Sequence, residues 1–254
     1  MKKTMFMLAA LCGVCAADTL SWDLLSTSEA TNWELGKKLE GYEVRGPAVI
    51  QDGVFQLSGT IHWQQGYGVY DIEDITMSKG DVLTFAYTIN VQSNGGTPQK
   101  DAQAALSLVG TNNTIVTGMG YKFTQTQYGL VTTDATKDCY VIGNNWSGNA
   151  VNVSNTSNIA PITAGAITLS GTISWSDTEN QFVLDMIQND GQNKTFNLGT
   201  TVDVKQIGLV LDGGSDTVPT ISGLTLTYKA VPEPATATLS LLALAGLAAR
   251  RKRH

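Results

Sequence analysis

The chain has 254 residues, of which 42% are hydrophobic and 15% charged, and carries a net charge of −6. Setting aside residues 1–17 and 231–254 leaves 10 basic and 21 acidic side chains, a net of −11. So acidic a body repels phosphate backbones and anionic lipid, which argues against a nucleic-acid partner and against docking of the body on a membrane surface.

The first segment reads MKKTMFMLAALCGVCAA. Lys2 and Lys3 form a basic start, residues 5–14 an apolar run, and Cys15-Ala16-Ala17 a small-residue exit. This is the layout of a secretory signal peptide covering residues 1–17, with signal peptidase expected to cut after Ala17. Cys12 and Cys15 leave with it, so Cys139 is the only cysteine of the mature body and no internal disulfide is possible. The fold of residues 18–230 has to rest on burial, and that length suits a single all-β domain.

The body alternates apolar and polar residues with the period of a strand. In VLTFAYTINV (82–91), Leu83, Phe85, Tyr87, Ile89 and Val91 share one face, the expected core face. In ITLSGTISW (167–175), Ile167, Leu169, Ile173 and Trp175 do the same. Turns at 177–180 and at Asn189-Asp190-Gly191-Gln192 link this stretch to two further strands, giving a three-strand meander. Asp-Gly marks such a turn because glycine takes positive φ without steric cost. The last strand alternates Leu224, Leu226 and Tyr228 against Thr225, Thr227 and Lys229. Further strands are expected at 42–50, 53–60, 104–109, 121–127 and 140–142, with loops at 92–100 and 143–164 and one weak helical candidate at 28–39. Ten or more short strands at hairpin spacing predict an antiparallel two-sheet β-sandwich. The early Trp-containing segment and the late Trp–turn–strand–turn–strand pattern at 175–198 resemble concanavalin A-like jelly rolls. That resemblance implies that the first and last strands lie side by side near an edge.

Candidate chemistry in the body is sparse. His62 and His254 are the only histidines, too few for a zinc cluster, and His62 reads as a surface strand residue. Cys139 reads as a small apolar filler. Asp71 and Glu73 share a strand face in YDIEDI, but the stretch lacks the Glu-x-Asp-x-x-Glu pattern of the jelly-roll glycosidases. No catalytic residues are therefore assigned, and the body is expected not to be an enzyme; a jelly-roll glycoside hydrolase is the alternative. Exposed aromatic rings stack on sugar faces, and Trp146 in GNNWSGN is the best candidate because its neighbours are all polar. Trp63, Tyr67 and Tyr70 in HWQQGYGVY are the others. Asp212 and Asp216 flank Gly213-Gly214-Ser215 and offer oxygens of the kind calcium takes, without the spacing of a full calcium loop. An acidic turn is the plainer account, and no metal or cofactor is expected.

The final segment is VPEPATATLSLLALAGLAARRKRH (231–254). Pro232 and Pro234 stop the last strand. Pro234 and Glu233 suit the start of a helix, and residues 235–249 carry no charge. At ~1.5 Å per residue that run spans roughly 22 Å, short of a ~30 Å hydrocarbon core. Arg250, Arg251, Lys252 and Arg253 form a basic stop that prefers the cytoplasmic side. Pro232-Glu233-Pro234, a short apolar helix and a terminal basic cluster closely resemble the PEP-CTERM sorting segment of Gram-negative bacteria. The resemblance implies recognition by an exosortase, a membrane peptidase that cuts near Pro-Glu-Pro, after transient anchoring in the inner membrane. Together these readings predict an exported, exosortase-sorted protein of the cell surface or extracellular matrix. It would be non-catalytic and able to bind glycan or polysaccharide, or else purely structural.

Overall fold

The computed structural model describes residues 18–36, 48–58, 65–93, 103–110, 115–122, 127–134, 139–142, 150–152, 165–188, 193–212 and 217–231. The strands run β1 Thr19–Asp23, β2 Trp33–Leu35, β3 Ala48–Gln51, β4 Val54–Leu57, β5 Gln65–Thr76, β6 Val82–Ser93, β7 Gln103–Val109 and β8 Ile115–Lys122. They continue with β9 Gln127–Asp134, β10 Cys139–Ile142, β11 Ala150–Asn152, β12 Gly165–Ser176, β13 Gln181–Gln188, β14 Asn193–Gly199, β15 Asp203–Asp212 and β16 Thr217–Lys229. They form two eight-stranded sheets. Sheet I has the order β14-β13-β12-β6-β16-β4-β3, with β1 also on β16; sheet II has the order β10-β9-β8-β7-β15-β5-β2, with β11 also on β9. Every pairing is antiparallel. This is the expected two-sheet sandwich.

Alternation decides the inner face of sheet I. Leu83, Phe85, Tyr87 and Ile89 on β6 are at most 2% exposed, as are Ile167, Leu169 and Ile173 on β12 and Leu224 and Leu226 on β16. Each such side chain contributes about 1.5–3 kcal/mol by leaving water. The intervening residues make the outer face, and there the register aligns hydroxyls across strands. Ser21, Thr227, Thr84, Thr172, Asp185 and Thr195 form one cross-sheet row. Neighbours bond one another, as in Ser21 Oγ to Thr227 Oγ1 at 3.3 Å and Thr88 Oγ1 to Thr168 Oγ1 at 3.1 Å. The meander is present as β12, β13 and β14 in consecutive antiparallel pairing, its first turn carried by Asn180 at φ 50°.

Sheet II departs from simple alternation. Residues 66–70 of β5, 104–109 of β7 and 207–211 of β15 are buried on both faces. Small residues make this possible where the sheets meet: a Cβ on Gly68 would stand 3.0 Å from Phe55 and 3.1 Å from Trp33.

Three local expectations change. The segment 28–39 is not a helix in its described part, which holds a single 3-10 turn at Ala30–Asn32 and then enters β2. Trp33 pairs with Tyr70 in extended conformation, and its indole N–H donates to the Leu24 carbonyl at 2.7 Å. Burying that ring outweighs a weak local helical preference. Of the strand expected at 121–127, the described residues Tyr121 and Lys122 end β8 and Gln127 begins β9, which pairs back on them; residues 123–126 lie outside the described residues. Within the expected loop 143–164 lies β11, paired with β9.

The first and last strands do lie side by side. Thr19 faces Lys229 and Asp23 faces Thr225. β1 holds the edge, while β16 sits inside sheet I with β6 along its other side. Among the described residues no helix is long and apolar enough to cross a membrane. The expected signal peptide and the C-terminal helix lie outside the described residues.

Candidate functional site

The end of the sandwich where β1 begins and β16 ends gathers the most distinctive polar chemistry. Ser78-Lys79-Gly80-Asp81 turns the chain from β5 into β6. Gly80 adopts φ 95°, and the Asp81 N–H donates to the Ser78 carbonyl at 3.0 Å. The turn folds the Asp81 carboxylate inward, leaving the residue 3% exposed. A buried carboxylate needs donors, and Asp81 has three. Its Oδ2 accepts from the Ser78 N–H at 2.7 Å and the Tyr228 hydroxyl at 2.8 Å. Its Oδ1 accepts from the Val231 N–H at 2.8 Å. Burial, and then the bond to Asp81, push the Tyr228 hydroxyl up to about 12. Beside this clamp the Ala230 N–H donates to the Asp18 carbonyl at 3.0 Å. Hydrogen bonding of the backbone N–H groups thus continues past β16, through Ala230 to the Asp18 carbonyl and through Val231 to the Asp81 carboxylate, one residue before Pro232.

A cleft of about 340 Å³ opens beside the clamp, lined by Asp18, Thr19, Leu20, Glu73, Asp74, Ile75, Tyr228 and Ala230. It holds three carboxylates: Asp18 just before β1, and Glu73 and Asp74, which both reach the surface where the β5–β15 register shifts between Val204 and Gln206. Asp74 is paired with Lys205 at 2.7 Å. Among the described residues no group of three His, Cys, Asp or Glu side chains is placed to hold a metal ion.

The residues proposed from sequence are scattered. Tyr67 and Tyr70 are each 5% exposed and offer no stacking surface to a sugar. They lie where both faces of β5 are covered. The Tyr70 hydroxyl donates to Glu29, and its ring centroid is 5.3 Å from that of Trp33. Trp63, Trp146, His62 and Asp216 lie outside the described residues, as do Pro232, Glu233, Pro234 and the basic cluster Arg250, Arg251, Lys252 and Arg253. Asp212 ends β15 and Cys139 begins β10. Asp71 and Glu73 are exposed, and Asp71 accepts from the Gln206 side-chain N–H at 2.7 Å. Asp81 and Tyr228 were not singled out from sequence. Ser-Lys-Gly-Asp has the composition of a turn, but nothing local announces partners 147 and 150 residues away.

Residues 230–253 match the PEP-CTERM protein-sorting motif. No curated protein sequence matches the chain. In three dimensions the chain is similar to the carbohydrate recognition domain of Emp47p, with a TM-score of 0.56 at 12% identity, covering 86% of this chain and 99% of that one. It is also similar to the carbohydrate recognition domain of Emp46p, with a TM-score of 0.53 at 14% identity, covering 83% and 95%. A lectin from Bauhinia forficata, solved with GalNAc, gives a TM-score of 0.50 at 11% identity, covering 84% and 99%. The body has a lectin-like, concanavalin A-like sandwich fold.

Proposed function

We propose that this is an exported protein that exosortase delivers to the cell surface or extracellular matrix, where its sandwich binds glycan without cleaving it. The observation that carries the proposal is the joining of a sorting motif at residues 230–253 to the hydrogen-bonded end of a lectin-like body. Both segments bounding that body carry their basic residues on the far side, Lys2 and Lys3 at one end and Arg250 to Arg253 at the other. Basic residues favour the cytoplasmic side, which leaves residues 18–231 outside. Signal peptidase and exosortase are the processing partners, and the inner membrane holds the C-terminal segment only until it is cut.

Glycan binding is supported by the fold, whose neighbours include the carbohydrate recognition domains of Emp47p and Emp46p. A non-catalytic role is supported by the sequence of β5, whose YDIEDI stretch lacks the Glu-x-Asp-x-x-Glu pattern, and by the pairing of Asp74, one of the cleft's carboxylates, with Lys205. A glycan array probed with the mature exported protein should give specific signals that Trp146→Ala weakens. No signal from the unmutated protein would sink glycan binding, and release of reducing ends from a bound polysaccharide would favour the hydrolase. Mass spectrometry of the surface protein should find a chain ending near Val231.

A further inference from the structure

We infer that Asp81 is a positioning residue for the sorting cleavage: by holding the Val231 N–H it seals the body's last strand and confines the cut to the chain beyond Val231. The inference rests on the exosortase reading above. A peptidase takes its substrate as an extended segment whose backbone groups are free to bond the enzyme. From Thr225 to Val231 that backbone is engaged within the body. Between Thr225 and Lys229, β16 is paired with β6 on one side and β1 on the other. The Ala230 N–H is held by the Asp18 carbonyl at 3.0 Å and the Val231 N–H by Asp81 Oδ1 at 2.8 Å. Engaging any residue before Pro232 therefore means breaking sheet I or the clamp.

The Asp81 carboxylate suits this role because it is fixed from its own side. The Ser78 N–H and the Tyr228 hydroxyl hold Oδ2, leaving Oδ1 aimed at Val231. Val231 itself is 46% exposed, so side-chain burial alone does not hold it. The stop depends on one hydrogen bond to a charged acceptor.

Two measurements on the full chain test the inference. In the first, the mature C-terminus is read by intact-protein mass spectrometry from cells that process the tail, for the unmutated chain, Asp81→Ala and Leu184→Ala. Leu184 is fully buried on β13, far from the junction in sheet order, so its truncation lowers stability without touching the clamp. The unmutated and Leu184→Ala proteins should show one end at or beyond Val231, and Asp81→Ala a spread of ends reaching upstream of it. An unchanged single end in Asp81→Ala overturns the inference. In the second, amide exchange at Val231 should quicken roughly ten- to hundredfold in Asp81→Ala, the range a hydrogen bond to a charged group supports. An unprotected Val231 amide in the unmutated chain overturns the clamp even if the variant fails to fold. A chain that keeps His254 at the surface overturns the sorting reading, and the positioning role with it, whereas slow exchange at Val231 would still establish the clamp.

Discussion

Tyr228 and Asp81 give the junction a pH signature. The Tyr228 proton is held up to about 12 against an ordinary value of 10.0, through burial first and Asp81 second. The folded state binds that proton more tightly than the unfolded chain does. The associated stability is therefore fully present below pH ~10 and is lost as pH climbs from ~10 toward 12. Tyr70 behaves alike, pushed up to about 12 by burial and then by Glu29. Denaturant midpoints followed from pH 8 to 12 should fall in that window, and Tyr228→Phe should flatten part of the decline. Asp81→Ala should act at neutral pH, because it strands the Ser78 N–H, the Tyr228 hydroxyl and the Val231 N–H at once; a loss of about 3 kcal/mol is expected from equilibrium unfolding. None of this was legible in the sequence. A turn ending in Asp is common, and the residues that give this one its meaning arrive almost 150 positions later. For Tyr67 and Tyr70 the reason is related: beside glycines, an open aromatic platform and a packed position read alike in sequence, and a second covered face of sheet II hides both rings.

At the level of the strand, alternation was a sound guide wherever one face meets water. β6, β12 and β16 were readable because Thr, Ser and Asn occupy the positions between buried Leu, Ile and Phe. At β7 and residues 66–70 of β5 both faces are covered and the period disappears, so the strand expected at 104–109 is present but its pattern does not tell which face is buried. Alternation failed at β2, too short to show a period. Gly171 shows what one residue can demand of a strand. It faces Phe85 across the β12–β6 pair, and a Cβ there would stand 2.6 Å from the far end of that ring. Phe85 is 2% exposed, so the ring has little room to yield. Gly171→Ala should cost about 1–3 kcal/mol by overpacking, although alanine ordinarily suits a strand better than glycine. Paired denaturation curves would measure it, and a neutral outcome would mean that the two sheets separate more readily than this packing implies.

The whole molecule is closed by joining its extremes. β16, the last strand, lies between β6 on one side and β1 and β4 on the other, so sheet I cannot be completed until the end of the body has been made. Such long-range pairing folds slowly, and it places residue 18 and residue 231 at the same end. The sequence carried the outline of this, through the Trp-containing first segment, the final strand and the Pro-Glu-Pro stop, but not the hydrogen bonds that join them. A direct consequence concerns where the body ends. A chain of residues 18–231 keeps the Val231 N–H on Asp81, and a chain of residues 18–230 lacks it and sets a terminal carboxylate near the same buried charge. The two differ by one half-exposed residue whose side chain contributes little burial. Loss of one bond to a charged acceptor, about 1.5 kcal/mol, should lower the melting temperature by roughly 3–6 °C in a domain of this size. The difference should vanish in an Asp81→Ala background, where neither chain has the acceptor. Equal melting temperatures in the unmutated background would show that the fold ends at the last sheet pairing, and that Val231 belongs to the sorting segment rather than to the body.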